Sequence, residues 1–476
     1  RDRVYFSGYY GFDDVSLNLS GISFSFDWRN AVGSLGWTRT YGDKRTLSQV
    51  ASFSYYNYRF DNQFADIEGN LISQVMDATY QGQMAFYTSS RHTLRTGLEL
   101  TYRRFNPSTA DAQSTSDEDI AFSFQQYFNG GEGAVFAEGE WDITTRLRVN
   151  YGLRLSGWVG EKLYGNVEPR LAARYKLGKE ETWALKASYA RMAQYIHLGT
   201  SSTVTLPTDL WLPTTDTLRP QVSDQVAAGI TKTVPAWKME FILEGYYKWL
   251  HNQVEIGENK SVFLNENPDD AFVTGSGYSY GVEFLARREV GKLTGWLGYT
   301  LSWTWRDFAG LNDGQRFPYR FDRRHDLSIV LSYDLLERLS ISGTWVFRTG
   351  EAISLPSQLF FQRDVPGVNQ TGINFDPNTG NADVQPGAII SIYEGRNQNR
   401  TPIYHRMDLA LKWELKVKRL RYSDLTLSIY NLYNRANPFF IFIDQETNDD
   451  GVLTGFQAKS QALFPIIPSL TWNFKF

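Results

Sequence analysis

Apolar and polar residues alternate with a period of two along most of this 476-residue chain, and no other feature limits its fold so sharply. Between Arg146 and Ser156, the residues Leu147, Val149, Tyr151, Leu153 and Leu155 share one face, against Arg148, Asn150, Gly152, Arg154 and Ser156 on the other. Between Arg406 and Leu415, Met407, Leu409, Leu411 and Trp413 oppose Asp408, Ala410, Lys412 and Glu414. From Leu293 onward, Leu297, Tyr299, Leu301, Trp303 and Trp305 oppose Gly298, Thr300, Ser302 and Thr304. Successive side chains point to opposite sides only in an extended strand, so each run is a strand with two unlike faces. Helical spacing is not sustained anywhere.

A soluble sandwich also alternates. Three observations exclude it. The runs are roughly ten to sixteen residues long, against about five or six in soluble sheets. Their apolar faces end in aromatic residues, which favour bilayer interfaces because part of the ring is apolar and part wet. Their opposite faces mix Arg, Lys, Asp and Glu with Gly and Ser, as suits a water-filled or plug-filled lumen. The reading is an all-β transmembrane antiparallel barrel.

Composition agrees. Aromatics make up 15% of the chain, and they are spread along it instead of gathered in one core. Mean hydropathy is −0.39. The longest apolar run, Phe439-Phe440-Ile441-Phe442-Ile443, is far shorter than the roughly 18 residues of a spanning helix. A net charge of −4 gives no reason to expect a nucleic-acid partner. The absence of cysteine excludes disulfides, thiol nucleophiles and Cys-based zinc sites. The opening Arg1-Asp2-Arg3 shows no initiator Met, apolar segment or cleavage site, so for an exported protein the numbering is expected to start inside a longer precursor.

Strand number follows from the connections. Short turns fall at Asp43-Lys44, Ser90-Arg91, Thr144-Thr145, Gly178-Lys179, Pro235-Ala236, Gly291-Lys292, Leu336-Glu337 and Lys418-Arg419. Longer polar stretches lie between them, at 11–21, 61–69, 105–128, 158–164, 199–217, 257–276, 307–318, 355–401 and 438–453. Eight turns and nine loops make seventeen connections, hence eighteen strands, with short periplasmic turns, long outer loops and both chain ends at the short-turn rim.

Eight collinear stretches resemble the C-terminal part of TonB-dependent receptors of the Bacteroidota type. They are NVEPRLAARYKLG (Asn166–Gly178), KASYARMAQYIHL (Lys186–Leu198), LPTDLWLPTTDTLRPQVSDQ (Leu206–Gln225), LNENPDDAFVTGSGYSYGVEF (Leu264–Phe284), KLTGWLGYTLS (Lys292–Ser302), YRFDRRHDLSIV (Tyr319–Val330), YNLYNRANPFF (Tyr430–Phe440) and FPIIPSLTWNFKF (Phe464–Phe476). The resemblance implies a 22-stranded barrel, an N-terminal plug filling the lumen and a TonB box before it. On that reading residues 1–476 are barrel, RDRVYFSGYYG is similar to the fifth strand, and plug, TonB box and four strands lie outside this chain. It also implies TonB with its inner-membrane motor as partner, the protein's own plug, outer-membrane lipids and a surface lipoprotein lid. No enzyme, cofactor or metal is implied.

Candidate residues are weighed against simpler roles. Arg320, Asp322, Arg324 and Asp326 share a face by period two, and the interleaved guanidiniums keep the carboxylates ionised, so they read as a lumen ladder facing the plug and not as acid–base catalysts. Of the five His, none forms a ligand pair. Asn448-Asp449-Asp450-Gly451 lacks calcium-loop spacing and reads as a plain loop. Asp209 and Trp211 belong to the Pro-containing outer loop 199–217, above a strand ending in Tyr195 and His197, and these four residues either contact a ligand or pack the loop. Cargo selection is expected in the Asn-, Gly- and Asp-rich loop 355–401. In the last strand Leu470, Trp472, Phe474 and Phe476 alternate with polar residues, and Trp472, Phe474 and Phe476 resemble the terminal signal read by the barrel-assembly machinery.

The functional expectation is an outer-membrane TonB-dependent transporter that takes up a large, scarce nutrient such as a siderophore, cobalamin, glycan or peptide through energised plug rearrangement. The alternative is a passive, substrate-selective porin of eighteen strands.

Overall fold

The computed structural model describes residues 2–19, 22–64, 67–114, 121–125, 127–199, 210–258, 268–361, 373–375, 382–384, 389–447 and 453–476. Eighteen long strands, from Asp2–Leu19 to Ile467–Lys475, pair antiparallel with their sequence neighbours in one continuous sheet. Two short pieces, Ala121–Gln125 and Phe317–Pro318, pair on the flanks of longer strands and bring the sheet to twenty. Among the described residues the only helical segments are single 3₁₀ turns, such as Pro235–Trp237.

Strand register makes the two faces continuous. Directly opposed residues of an antiparallel pair point to the same side. The pairings Leu293–Tyr333, Tyr333–Ile341, Ile341–Leu411, Leu411–Leu427 and Leu427–Leu470 therefore build one apolar row across six strands. One step along, Asp334, Ser340, Lys412, Thr426 and Thr471 form a polar row on the other side. A second apolar row, Leu98–Val135–Leu155–Val167, is likewise exposed. An exposed apolar face that wraps around a sheet is stable only against lipid, and the polar face then lines the lumen. Leu147, Val149, Leu153, Leu297, Leu301, Leu409 and Leu411 share the outer face, and Arg148, Arg154, Asp408 and Lys412 the inner one.

All eight expected short turns are present at one rim. The first strand begins opposite Arg39, beside the turn before Arg45, and the last ends opposite Tyr422, beside the turn before that residue. The expected loops at 11–21, 61–69 and 105–128 are corrected. There the strands continue as hairpins, and the first five strands reach 18 to 23 residues. Hydrogen-bonded pairing satisfies the backbone in water as well as in lipid, so loss of apolar alternation does not end a strand. The region 438–453 is corrected in the same way: Phe440–Thr447 pairs with Leu453–Gln461. Asn448, Asp449, Asp450 and Gly451 lie outside the described residues. Between 307 and 318 the break extends further, and the next full strand begins only at His325.

Among the described residues Asp2–Leu19 pairs only with Ile22–Tyr41, and Ile467–Lys475 only with Tyr422–Tyr430. Among the described residues no pairing joins the first strand to the last, as an eighteen-stranded porin requires.

Candidate functional site: the inner wall and mouth

At the long-loop rim the described connections build three small apolar cores against the strand ends. Phe105, Phe128, Trp158 and Tyr195 form one, with Trp211 packed on it. Leu212, Leu218, Val254, Ala271 and Phe272 form the next. Phe308, Leu311 and Phe317 form the third.

The first core rests on a charged wall. Arg103 donates to Asp77 at 3.0 Å and to Glu132 at 2.7 Å. Arg154 meets Glu99 at 3.3 Å and Glu168 at 4.0 Å, and Arg170 meets Glu168 at 3.4 Å. Glu168 is buried and accepts a hydrogen bond from Ser156 Oγ at 2.5 Å. Ser156 also bonds the Tyr195 hydroxyl at 2.8 Å, and Asn166 Nδ2 donates to that hydroxyl at 3.0 Å. A buried carboxylate needs partners of opposite charge, and two guanidiniums and a hydroxyl supply them here.

Tyr195 and His197 are fully buried, and Trp211 is half-buried against Tyr195's core. The short hairpin of Ile196–Gly199 with Leu210–Pro213 explains this, because it turns the loop back onto the wall. Thr214 N–H then donates to Tyr195 O at 2.9 Å, and His197 Nε2 lies 3.2 Å from Thr214 Oγ1. Burial pulls the His197 imidazole down to about 4, so it is neutral at pH 7. Tyr195 and His197 thus pack inside the loop, while Trp211 keeps part of its ring open. Asp209 lies outside the described residues.

The Arg320–Asp326 ladder is corrected. Residues 320–324 form a turn before the strand, so period two does not apply to them. Asp322 becomes a buried hub, because the turn swings it against the free edge of Leu293–Asp307. It accepts from Thr304 N–H at 2.6 Å, from Arg400 at 2.5 Å and from Arg324 at 3.4 Å. Arg320 is buried over the Phe321 ring and holds Ala352 N–H through its carbonyl. Asp326 is on the strand and pairs separately with Arg348 at 2.9 Å.

Sequence reasoning missed a second hub. Glu255 accepts from Arg396 at 2.9 Å and lies 3.9 Å from Arg306, all three buried. Asn397, at φ +56°, donates to Pro318 O and accepts from Ser354. Arg396 N–H donates to Asn312 Oδ1 at 2.8 Å. Residues 396–400 thus stitch the return leg of the longest loop to the wall. The only available signal was Arg306 at an inward position on an aromatic-rich strand.

At the other rim Trp472, Phe474 and Phe476 pack in sequence, tilted and then edge-on, with centroids 4.7 and 5.4 Å apart, and remain exposed on the lipid side. Among the described residues no group of His, Asp and Glu has the makings of a metal site.

An eighteen-strand sheet with an apolar exterior, a charged interior and loop residues packed against its strand ends defines the class as an outer-membrane β-barrel. Residues 1–432 match the family described as TonB dependent receptor-like, beta-barrel, and the chain belongs to that family. Solved structures share the fold at low identity. The ferric-catecholate import receptor Fiu from E. coli K12 is 14% identical, with TM-score 0.57, over 95% of this chain and 65% of that one. The ferric yersiniabactin uptake receptor FyuA from Yersinia pestis is 13% identical, with TM-score 0.63, over 95% and 62%. BauA, the ferric preacinetobactin receptor from Acinetobacter baumannii, is 12% identical, with TM-score 0.61, over 100% and 70%. The chain therefore spans about two thirds of the length of these receptors. No curated protein matches it.

Proposed function

We propose that this chain is the wall of a TonB-dependent importer of the Bacteroidota type, which takes up a large, scarce nutrient through energised rearrangement of a plug. The observation that carries the reading is the family match over residues 1–432 on a sheet whose inner wall is charged. Structural neighbours described as import or uptake receptors for ferric chelates support a cargo of comparable size, with a siderophore, cobalamin, glycan or peptide as candidates. The unpaired edges of Asp2–Leu19 and Ile467–Lys475 support a 22-stranded barrel, since each backbone group left open in lipid costs several kcal/mol. The inner-wall charges would face the plug, and TonB with its inner-membrane motor would supply the work.

The test is uptake by cells carrying the full-length receptor, after a growth screen on scarce iron, cobalamin, glycans and peptides has identified the cargo. Uptake is expected to stop without TonB or with a protonophore. Uptake indifferent to both would end the importer reading.

A further inference from the structure

Fixed charge is unevenly spread around the inner wall. Directly opposed residues of neighbouring strands share a face, so Arg148, Arg174, Lys186, Gly229, Glu244 and Glu283 form one inward row across six strands. The row is segregated into three cations, a glycine and two carboxylates. Like charges set directly opposite one another repel. Among the described residues only Arg148 of these has an ion pair, with Asp142 at 2.6 Å. Arg174 Nε is buried with no acceptor among the described residues. A depression of about 350 Å³ opens among Arg148, Arg174, Lys186 and Glu244, so these charges border open space.

The strands at the two chain ends differ. Ser7, Ser34, Ser52, Thr79 and Thr101 form an uncharged inward row across the first five long strands. Thr294, Ser332, Ser342, Ala410, Ser428 and Ser469 form another across the last six. Hydroxyls in these rows bond one another, as Thr79 with Thr101 at 3.0 Å and Ser428 with Ser469 at 2.7 Å. Beside the second row Arg406 closes on Asp408 at 2.9 Å and Lys412 on Glu414 at 3.6 Å, within the wall itself. One arc of the wall therefore demands opposite charge from whatever fills the lumen. The other two demand only hydrogen bonds that water can also supply.

We propose that the passage for cargo opens between the plug and the uncharged arcs of the first and last strands, while the segregated row keeps its hold on the plug. The inference rests on the proposed importer and its plug. Parting a charge from its partner in a low-dielectric site leaves an uncompensated charge, whereas a hydroxyl released from a neutral partner is rehydrated with little net loss. A pull on the plug thus separates it from the uncharged arcs first. Neutral hydroxyls also suit transit, because they offer a solute many weak contacts and no strong one.

The test uses the full-length receptor in detergent with single introduced cysteines, since this chain has none of its own. Ser52→Cys and Ser342→Cys report on the uncharged arcs, and Ala172→Cys and Ala227→Cys on the depression beside Arg174 and Lys186. Urea, kept below the concentration that unfolds the barrel, loosens the plug, and the rate of reaction with fluorescein maleimide is followed. Ser52→Cys and Ser342→Cys should react about tenfold faster than the other two, the difference made by one charge-assisted contact. Replacing Arg174 and Lys186 by glutamine should raise the rate at Ala172→Cys about as much and leave Ser52→Cys unchanged. Equal rates at all four positions, or faster reaction at the charged arc, would overturn the inference and leave the importer reading standing. Full reaction at all four without urea would show an unplugged lumen and overturn both.

Discussion

The assignment of lipid and lumen faces makes a sharp prediction when one charge is placed on each side of a single strand. Leu153 lies near the middle of Leu147–Val159, in an outer row with Ala137 and Pro169, and its side chain is 47% exposed on the apolar face. Asn150 lies three positions earlier on the inner face, between Glu140 and Ala172, and is exposed to the lumen. An arginine on the lipid face at mid-bilayer costs about 2–4 kcal/mol. At about 1.4 kcal/mol per decade, Leu153→Arg lowers the ratio of folded to unfolded barrel roughly 30- to 1,000-fold. Asn150→Arg enters water beside the Glu140 carboxylate and should change stability by no more than about 0.5 kcal/mol. Refolding from urea into lipid vesicles, followed by heat-modifiable gel mobility, measures both. Leu153→Arg should move the midpoint clearly downward while Asn150→Arg stays with the wild type. Equal shifts, or a larger loss for Asn150→Arg, would refute the register and with it the orientation of the whole wall.

Two further outcomes follow from particular contacts. His197 is held neutral by burial at about 4, below its unfolded value of 6.5, so the undocked loop binds the proton more readily. Its contribution is complete above pH 6.5 and is lost as pH falls toward 4, by about 2 kcal/mol at pH 5. Hydrogen exchange should therefore show residues 196–199 and 210–214 losing protection between pH 7.5 and pH 5, and His197→Gln should flatten that dependence. Trp472, Phe474 and Phe476 pack on one another, and Trp472 Nε1 donates to Ser423 Oγ of the neighbouring strand at 2.9 Å. Replacing Phe474 and Phe476 by alanine should slow insertion by the assembly machinery several-fold, read from pulse-chase folding in cells, while the refolded barrel keeps its urea midpoint. A fall in midpoint equal to the fall in rate would make these rings structural instead of a signal.

The sequence by itself determined the class of this protein. Side-chain direction in a strand is a local property with a period of two, so residues such as Leu147 to Ser156 declare a lipid face and a lumen face without reference to any other part of the chain. The short turns were legible for the same reason: a turn of a few residues joins strands that are already neighbours, and all eight appear where the residues placed them. The limits of the outer hairpins were not legible. Backbone pairing continues into water wherever a partner strand continues, as it does to Leu19 and Ile22, and hydropathy marks only what lipid demands. The mouth was decided by tertiary structure alone. Glu255 and Arg396 stand 141 residues apart in sequence, and Asp322 and Arg400 stand 78 apart. A charge chooses its partner by where the loops fold, and the same inward turn that gave Asp322 its two guanidiniums took Arg320 and Arg324 out of the strand ladder their spacing implied. Burial of Tyr195 and His197 has the same origin, because a loop that looks solvent-borne in sequence becomes a core once its hairpin closes against Phe105 and Trp158.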